Sequence, residues 1–500
     1  MSSRLIDLVQ RFAGRKVALI GDFMVDRYVY GNAERLSPEA PVPVLRFDHE
    51  DCRLGGAGHV AADLAALGCH VKVVGVVGDD EAGVQLRKML DDLKVDHSGI
   101  VIAKGRCTTS KTRLVGLANQ RSPQQMIRLD YEVSTPVTTD LAGQLIQAAA
   151  RAIADAEVVL LEDYNKGVLT PAITQGIVQA ARSRGKQVIV DPPKITDYTR
   201  YIGATALKLN RSEAEVATGQ PARTPEQYAR AGKKLMDSLG LEAIVITLDK
   251  DGAYVATRDG KTERRLTTRS RQVADVTGAG DMVLAALGAA RAAGAEWTDA
   301  VAVANVAGGL EVERFGAIPV RPEEIVLELL SDAHDHLGKE RTLDALLKEL
   351  VSHRAAGRKI VFTNGCFDLI HLGHVKYFQF ARAQGDLLVV GVNTDASIQR
   401  LKGPKRPVVN EQDRVGVLEE LESIDYLVRF DSDTPIDLIK AIKPDVLVKG
   451  ADYRKDQVVG WDIVEKDGGR VALAPLIDGR STSNVIRAIL DAYGDGSKKA

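Results

Sequence analysis

Apolar and polar positions along the chain alternate between two rhythms. From "KVALIGD" at 16–22 onward, short β-branched runs are separated by alanine- and leucine-rich stretches of helical period. The runs "VKVVGVVG" at 71–78, "EVVLLED" at 157–163, "KQVIVDP" at 186–192 and "EAIVITLD" at 242–249 read as strands, and the alternation predicts a largely parallel sheet covered by helices. At the N-terminus Leu5, Leu8, Val9 and Phe12 are spaced as one helix face. The segment "TTSKTRLVG" at 108–116 breaks the rhythm and predicts part of a small antiparallel β lid.

The rhythm fades after "GAIPVRPEEIVLELL". "SDAHDHLGKERT" at 331–342 carries no strand or helix face of its own, which predicts a linker. A helix follows with Leu343, Leu346, Leu347, Leu350 and Val351 on one face, and the strand-loop-helix-strand unit "KIVFTNGCFDLIHLGHVKYFQFARAQGDLLVVGVN" then opens a smaller α/β domain. The expected organisation is a first domain over 1–330, a linker over 331–342 and a second domain over 343–500.

Length supports this division, because 500 residues exceed what one hydrophobic core usually holds. Hydrophobic residues make up 45%, charged residues 27%, and the net charge is −2, so no single-sign field points to nucleic acid or an anionic membrane as a partner. Asp7 interrupts any signal-peptide core, and apolar stretches such as "AVAVANVAGGL" at 300–310 fall short of the roughly 18 residues of a membrane span. Cys52, Cys69, Cys107 and Cys366 lie far apart with no CxxC pair, which suits a reducing compartment. A cytoplasmic protein is expected.

Chemistry enters with "DVTGAGDMVLAALGAARAAG" at 275–294, where two glycines precede a strong helix pattern. Such a turn can point backbone N–H groups at an anion, and a carboxylate in the helix's first turn, Asp281, can take a proton from an attacking hydroxyl. A plain helix cap has the same letters. "LGGAGHVAADLAALG" at 54–68 is a second glycine-rich helix start. "NRSEAEVATG" at 210–219 puts Asn210 and Glu213 where they could hold magnesium with its phosphate-bound water, or merely cap a helix.

Through Gly55-Gly56, "NRSE" and "DVTGAGD", residues 14–325 resemble the ribokinase-like (PfkB-type) carbohydrate kinases. The resemblance implies a ribokinase-like fold with a small β lid and transfer of the ATP γ-phosphoryl group to a sugar hydroxyl. Asp281 would be the base, with Gly278, Ala279 and Gly280 as the anion hole and Asn210, Arg211, Ser212 and Glu213 at ATP and Mg2+. Monovalent-cation activation is also a property of the family. "GDFMVDRYVYGNAERLSPEAPVPVL" at 21–45, "MIRLDYE" at 126–132 and "EDYNKGVLT" at 162–170 are similar to the heptose 7-phosphate kinases in particular. This implies sugar contacts at Asp22, Asp26, Gly55, Gly56, His59, Lys111, Arg128, Asp163 and Lys166. Lys111, Arg113, Arg121 and Arg128 are the available cations for a substrate phosphate. The chain departs from the family in carrying His59 where Asn is usual, Glu162 where a small residue is usual, and an extra proline in "DPPK" at 191–194.

In the second domain "NGCFDLIHLGH" at 364–374 crowds a cysteine, two histidines and an aspartate. Zinc wants about four ligands in paired spacings, and after residue 340 only Cys366, His353, His371 and His374 are available, so no structural metal is expected. His371 and His374, three apart at a helix start, share a face beside free N–H groups, a geometry that suits a phosphate. The stretch resembles the nucleotidyltransferases of the cytidylyltransferase-like superfamily, through HxGH and through "DGRSTSNVIRAIL" at 478–490. By that resemblance, which spans 357–492 and implies a Rossmann-like domain, His371 and His374 are catalytic. Asn364, Gly365, Phe367, Asp368, Gly373, Lys402, Lys449, Ser481, Thr482 and Ser483 would bind the nucleotide. "VNTDASIQRLKGPKRPV" at 392–408 and "VLVKGADY" at 446–453 are similar to the ADP-heptose synthase subgroup, which adds Arg406 as a phosphate contact.

Together the halves resemble the bifunctional heptose 7-phosphate kinases and heptose 1-phosphate adenylyltransferases. The implied substrates are ATP, a heptose 7-phosphate and a heptose 1-phosphate, the pathway is that of the lipopolysaccharide inner core, and the implied assembly is a homo-oligomer, a dimer. Another sugar kinase fused to a cytidylyltransferase is the alternative enzyme. A sugar-phosphate sensor with one inactive half is the alternative of another class.

Overall fold

Val17, Ala18, Leu19 and Ile20 are all buried, as a strand covered on both faces requires. Their strand, Lys16–Gly21, pairs in parallel with His70–Gly78 on one side and Val158–Glu162 on the other, with Leu19 opposite Val73 and Leu160. In the computed structural model, which describes residues 2–118, 121–268, 278–314, 316, 318–451 and 453–475, this strand lies within a nine-stranded sheet. The sheet continues through Gln187–Asp191, Ala206–Asn210 and Ala243–Thr247, all parallel, and ends in an antiparallel hairpin, Ala253–Thr257 with Glu263–Leu266. Asp96–Ala103 forms the other edge.

The expected lid is a separate four-stranded sheet, ordered Pro43–Gly56, Phe23–Leu36, Thr109–Ala118, Arg121–Tyr131. It is mixed, because Phe23–Leu36 pairs in parallel with Thr109–Ala118 while its other pairs are antiparallel.

Contacts divide the chain into Met1–Ile325 and Val326–Ala500. The second unit is built on five parallel strands, ordered Tyr426–Phe430, Leu387–Asn393, Ile360–Gly365, Val446–Gly450, Arg470–Ala474. Both faces are covered: Ile360 and Phe362 pack into one core and Val361 into another.

Two expectations about the segment between the domains change. Helix Pro322–Leu337 runs through the first half of 331–342, because Pro322 opens it, Glu323 and Glu324 suit its first turn, and Leu329 and Leu330 anchor it. Once nucleated, a helix extends easily into polar sequence. The second half pairs with the second unit's edge strand: Leu427 N donates to Lys339 O, and Arg341 N to Leu427 O, both at 2.9 Å. On helix Leu343–Ala355, Leu346 and Leu350 are buried but Val351 is 60% exposed, since at about 100° per residue it falls roughly 140° from Leu346.

Candidate functional site

In the first unit, strands Lys16–Gly21, Val158–Glu162, Gln187–Asp191 and Ala206–Asn210 end side by side. Chain order reverses between the first two, which is where open α/β sheets bind ligands. Asp22, Glu162, Asp163, Asp191 and Asn210 collect at these ends.

Helix Ala279–Ala292 starts at Gly278, whose φ of 92° is one that glycine adopts without strain. The amides of Ala279, Gly280 and Asp281 belong to the helix's first turn and have no partner within it, so they suit an anion. Asp281 is buried and accepts a hydrogen bond from Tyr164 OH at 3.0 Å. A Cβ on Gly280 would come within 3.1 Å of Lys208 Nζ, which places that ammonium beside the helix start. Lys208 is itself tied to Asp191 in a buried ion pair. Burial pushes the Asp281 carboxyl up to about 6; His59, Lys208 and the Tyr164 hydroxyl oppose the rise and Asp191 adds to it. Burial and Asp191 also hold Glu162 well above the usual carboxylate range, and its Oε2 has no hydrogen-bond partner among the described residues.

Asn210 and Glu213 hold each other. The Asn210 side chain accepts from Glu213 N at 2.9 Å, while the Glu213 carboxylate accepts from Asn210 N and Nδ2, both at 2.7 Å. The helix cap, one of the two readings of "NRSE", is therefore present. Arg211 is turned onto the next loop, donating to Leu248 O at 2.8 Å and pairing with Asp251, and Ser212 sits half-buried in the same first turn.

Among the expected sugar contacts, Asp22 is buried and its Oδ2 accepts from Tyr164 N at 2.8 Å and Lys166 N at 3.0 Å. Its Oδ1 has no partner among the described residues, and burial with Asp163 nearby pushes it up to about 7. Gly56 has φ +54°, and a Cβ on Gly55 would meet Asp26 Oδ2 at 2.5 Å, so both glycines are needed for this close approach. Lys111 Nζ lies 5.4 Å from the Tyr164 ring centre, and Lys166 pairs with Glu132 at 2.6 Å.

The other expected sugar contacts also have protein partners. Asp26 pairs with buried Arg113, and Arg128 pairs with its own neighbour Asp130 at 2.8 Å on an exposed strand. Asp163 accepts from Tyr201 OH at 2.6 Å and Asn165 N at 2.7 Å, which fixes the turn after its strand. His59 is buried against Glu311 and Asp63.

In the second unit, Ile360–Gly365 is the central strand and the chain order reverses at it. Lys449 Nζ, from the neighbouring strand, donates to Asn364 O at 2.9 Å at this point. Phe367 adopts φ 46° in the following loop and packs edge-on against His374, with ring centres 5.7 Å apart; Gly365 faces the Phe367 ring. His371 caps helix Leu372–Arg382: its Nδ1 accepts from Gly373 N at 3.1 Å, and His374 Nδ1 accepts from His371 N at 3.4 Å. The two rings stack with centres 4.0 Å apart. With each Nδ1 facing an amide donor, a neutral ring carries its proton on Nε2, so each imidazole is an N–H donor. Burial, then His371 and Lys402, push His374 down to about 4, so it is neutral near neutral pH.

Asp368 is buried and accepts from Val408 N at 2.7 Å and Val409 N at 2.9 Å while pairing with Arg406. Both residues thus pin a loop. Ser481, Thr482 and Ser483 lie outside the described residues, as does 269–277. Among the described residues, the His, Cys, Asp and Glu grouping close enough for a metal is His59, Asp63 and Glu311. No described helix is long and apolar enough to cross a membrane.

Lys208 and Tyr164 are site residues that motif reading did not single out, and Glu162 entered only as a departure from the family pattern. Lys208 had one signal, a lone cation in the apolar run "ALKLN".

Residues 15–324 match the pfkB family of carbohydrate kinases and residues 362–473 the cytidylyltransferase-like family. Among curated proteins the chain is 47% identical over 477 residues to the bifunctional protein HldE of Geobacter metallireducens, covering 95% of this chain and 96% of that protein. It is 44% identical to the bifunctional protein HldE of Paramagnetospirillum magneticum, covering 97% and 98%. Among solved structures, Arabidopsis thaliana ribokinase complexed with ribose and ATP is similar at TM-score 0.50 and 21% identity, over 63% of this chain and 99% of that one. Escherichia coli phosphofructokinase-2 in complex with substrates and products follows the same fold at TM-score 0.53 and 17% identity, over 63% and 99%.

Proposed function

The chain belongs to the family of bifunctional HldE proteins, and from that membership we propose that residues 1–330 transfer the γ-phosphoryl group of ATP to O1 of a heptose 7-phosphate, while residues 343–500 join AMP from ATP to a heptose 1-phosphate. It is a bifunctional enzyme, a carbohydrate kinase fused to a nucleotidyltransferase acting on small molecules. The products of the second reaction are ADP-heptose and pyrophosphate. A phosphatase must remove the 7-phosphate in between.

The observation that carries the kinase half is Asp281, buried at a glycine-started helix with Tyr164 and Lys208 beside it. In this reading Asp281 takes the O1 proton and the amides of Gly278, Ala279 and Gly280 receive the transferring phosphoryl group. Asp22, Gly55, Gly56, Lys111 and Lys166 line the sugar side. When bound, magnesium neutralises charge on the ATP phosphates. Asn210 and Glu213 already satisfy each other, so they fit it through its water shell.

In the second half the Nε2–H donors of His371 and His374 stabilise charge on the α-phosphate as pyrophosphate leaves, with Gly373 admitting it closely and Lys402 and Lys449 adding positive charge. A cytoplasmic homodimer completes the proposal. The test is product identification by NMR after incubating the intact chain with MgATP or MgCTP and heptose 7-phosphate or heptose 1-phosphate. O1 phosphorylation and ADP-heptose formation are expected; turnover of heptose 1-phosphate with CTP alone would overturn the adenylyl assignment.

A further inference from the structure

Helix Ala57–Ala66 carries a buried trio that phosphoryl transfer does not itself require. His59 Nε2 lies 2.7 Å from Glu311 Oε1, on helix Trp297–Glu311, and 3.4 Å from Asp63 Oδ2, one turn further along its own helix. Exposure is 2% for His59, 0% for Asp63 and 1% for Glu311. Neither Asp63 oxygen, nor Glu311 Oε2, has a hydrogen-bond partner among the described residues. A neutral imidazole would leave two interior carboxyl groups with no cation between them, and unpaired buried charge is what interiors exclude.

Asp281 is part of the same field. Helix Ala279–Ala292, which carries Asp281, packs against helix Ala57–Ala66, and the charges that act on Asp281 are those of His59 and Asp63 from that helix, Glu162 and Tyr164 at the end of their strand, and Asp191 and Lys208 from the next two strands. Against the carboxyl groups of this cluster stand His59 and Lys208. Lys208 is already paired with Asp191.

We propose that His59 is a positioning residue for the kinase reaction: an imidazolium clamped by Asp63 and Glu311, whose charge keeps the Asp281 carboxylate ionised. The inference rests on the reading of Asp281 as the base. Burial alone would push the His59 ring down, but Asp63, Glu311 and Asp281 outweigh it and bring it up to about 10, so the charge persists across the working range.

The experiment uses the full chain and the pH dependence of kinase kcat/KM from about pH 5 to 9, which reports groups of the free enzyme. His59→Asn removes the cation and is expected to move the acid limb up by about one unit, giving roughly tenfold less activity than the unsubstituted chain at pH 5 and converging with it above about pH 8. His59→Gln also removes the cation and should move the limb the same way, so the sign remains testable if His59→Asn fails to fold. Removing both carboxyl groups as well, in His59→Asn/Asp63→Asn/Glu311→Gln, should return the limb towards its original place, a rescue that a merely structural histidine would not give. Limbs unchanged in both single variants would overturn the proposal while leaving Asp281 as the base. An unsubstituted chain with no acid limb removes Asp281 from that role and the proposal with it. One equivalent of a divalent metal in the purified chain, lost in His59→Asn, would make the trio a metal site and overturn it too.

Discussion

Arg414 offers the sharpest test of how the fold holds the second site. Its side chain is among the largest fully buried ones, and its guanidinium donates to Val409 O at 3.1 Å, Asn393 O at 2.8 Å and Asp395 Oδ1 at 2.8 Å, and also to Cys366 O. Cys366 lies in the loop that carries Phe367 and leads to His371. Arg414→Met keeps the volume but leaves part-exposed Asp395 unpaired and strands three carbonyls, and at about 1–3 kcal/mol for each unsatisfied buried acceptor this costs about 3–5 kcal/mol. For a unit the size of Val326–Ala500, each kcal/mol moves the melting temperature by about 2–4 °C, so a drop of roughly 6–20 °C is expected. Calorimetry on the intact chain, with both activities assayed on the same sample, is the measurement. Adenylyl transfer should fall steeply and kinase activity should persist. Arg414→Lys should rescue little, because an ammonium lacks the fork that reaches separated acceptors. Unchanged melting and adenylyl transfer in Arg414→Met would refute the reasoning.

Three further outcomes are expected. Kinase kcat/KM should fall about tenfold between roughly pH 7.5 and 5, because Asp281, the proposed base, acts as the carboxylate and, held at about 6, begins to protonate two units higher than an exposed aspartate; a flat profile in buffered assays contradicts this. Asp281→Asn should lower O1 phosphorylation by about 10²–10⁴ and spare adenylyl transfer, while His374→Ala does the reverse; if either silences both reactions in folded protein, the sites are not independent. Gly55→Ala should destabilise the first unit by about 1–3 kcal/mol in thermal melts and raise the kinase KM, since its Cβ would stand 2.5 Å from Asp26 Oδ2 and disturb the Asp26–Arg113 pair.

What could be read from the sequence was local. Alternating strand and helix patterns gave both sheets, and Asp281, His371 and His374 were visible because each sits in a short motif at a helix start. The parallel pairing inside the lid and the docking of 339–341 on Leu427 were not, since both depend on strands far apart in sequence. The same holds for side chains. Lys208 meets Asp191 across neighbouring strands, His59 meets Glu311 across 252 positions, and Arg414 reaches back 48 residues to Cys366. The letters "NRSE" fit a magnesium site and a helix cap equally, and only the positions of Asn210 Nδ2 and both Glu213 oxygens reveal the cap.

The two sites differ in charge as their proposed acceptors differ in chemistry. The kinase acceptor is a hydroxyl, which must lose a proton as it attacks. An aspartate at its ordinary 3.8 would be ionised but weakly basic, and one pushed far above neutrality would already hold a proton. Burial among carboxyl groups brings Asp281 to about 6, while His59, Lys208 and Tyr164 stop the rise there, so the excess of acids would make the proposed base more effective. The acceptor of the second reaction is a phosphate monoester, already an oxyanion near neutral pH, and it needs no base. What that reaction needs is N–H donors aimed at growing charge on the α-phosphate, and in the proposed mechanism His371 and His374, their Nδ1 atoms occupied by backbone amides, would supply that without a group that must first ionise.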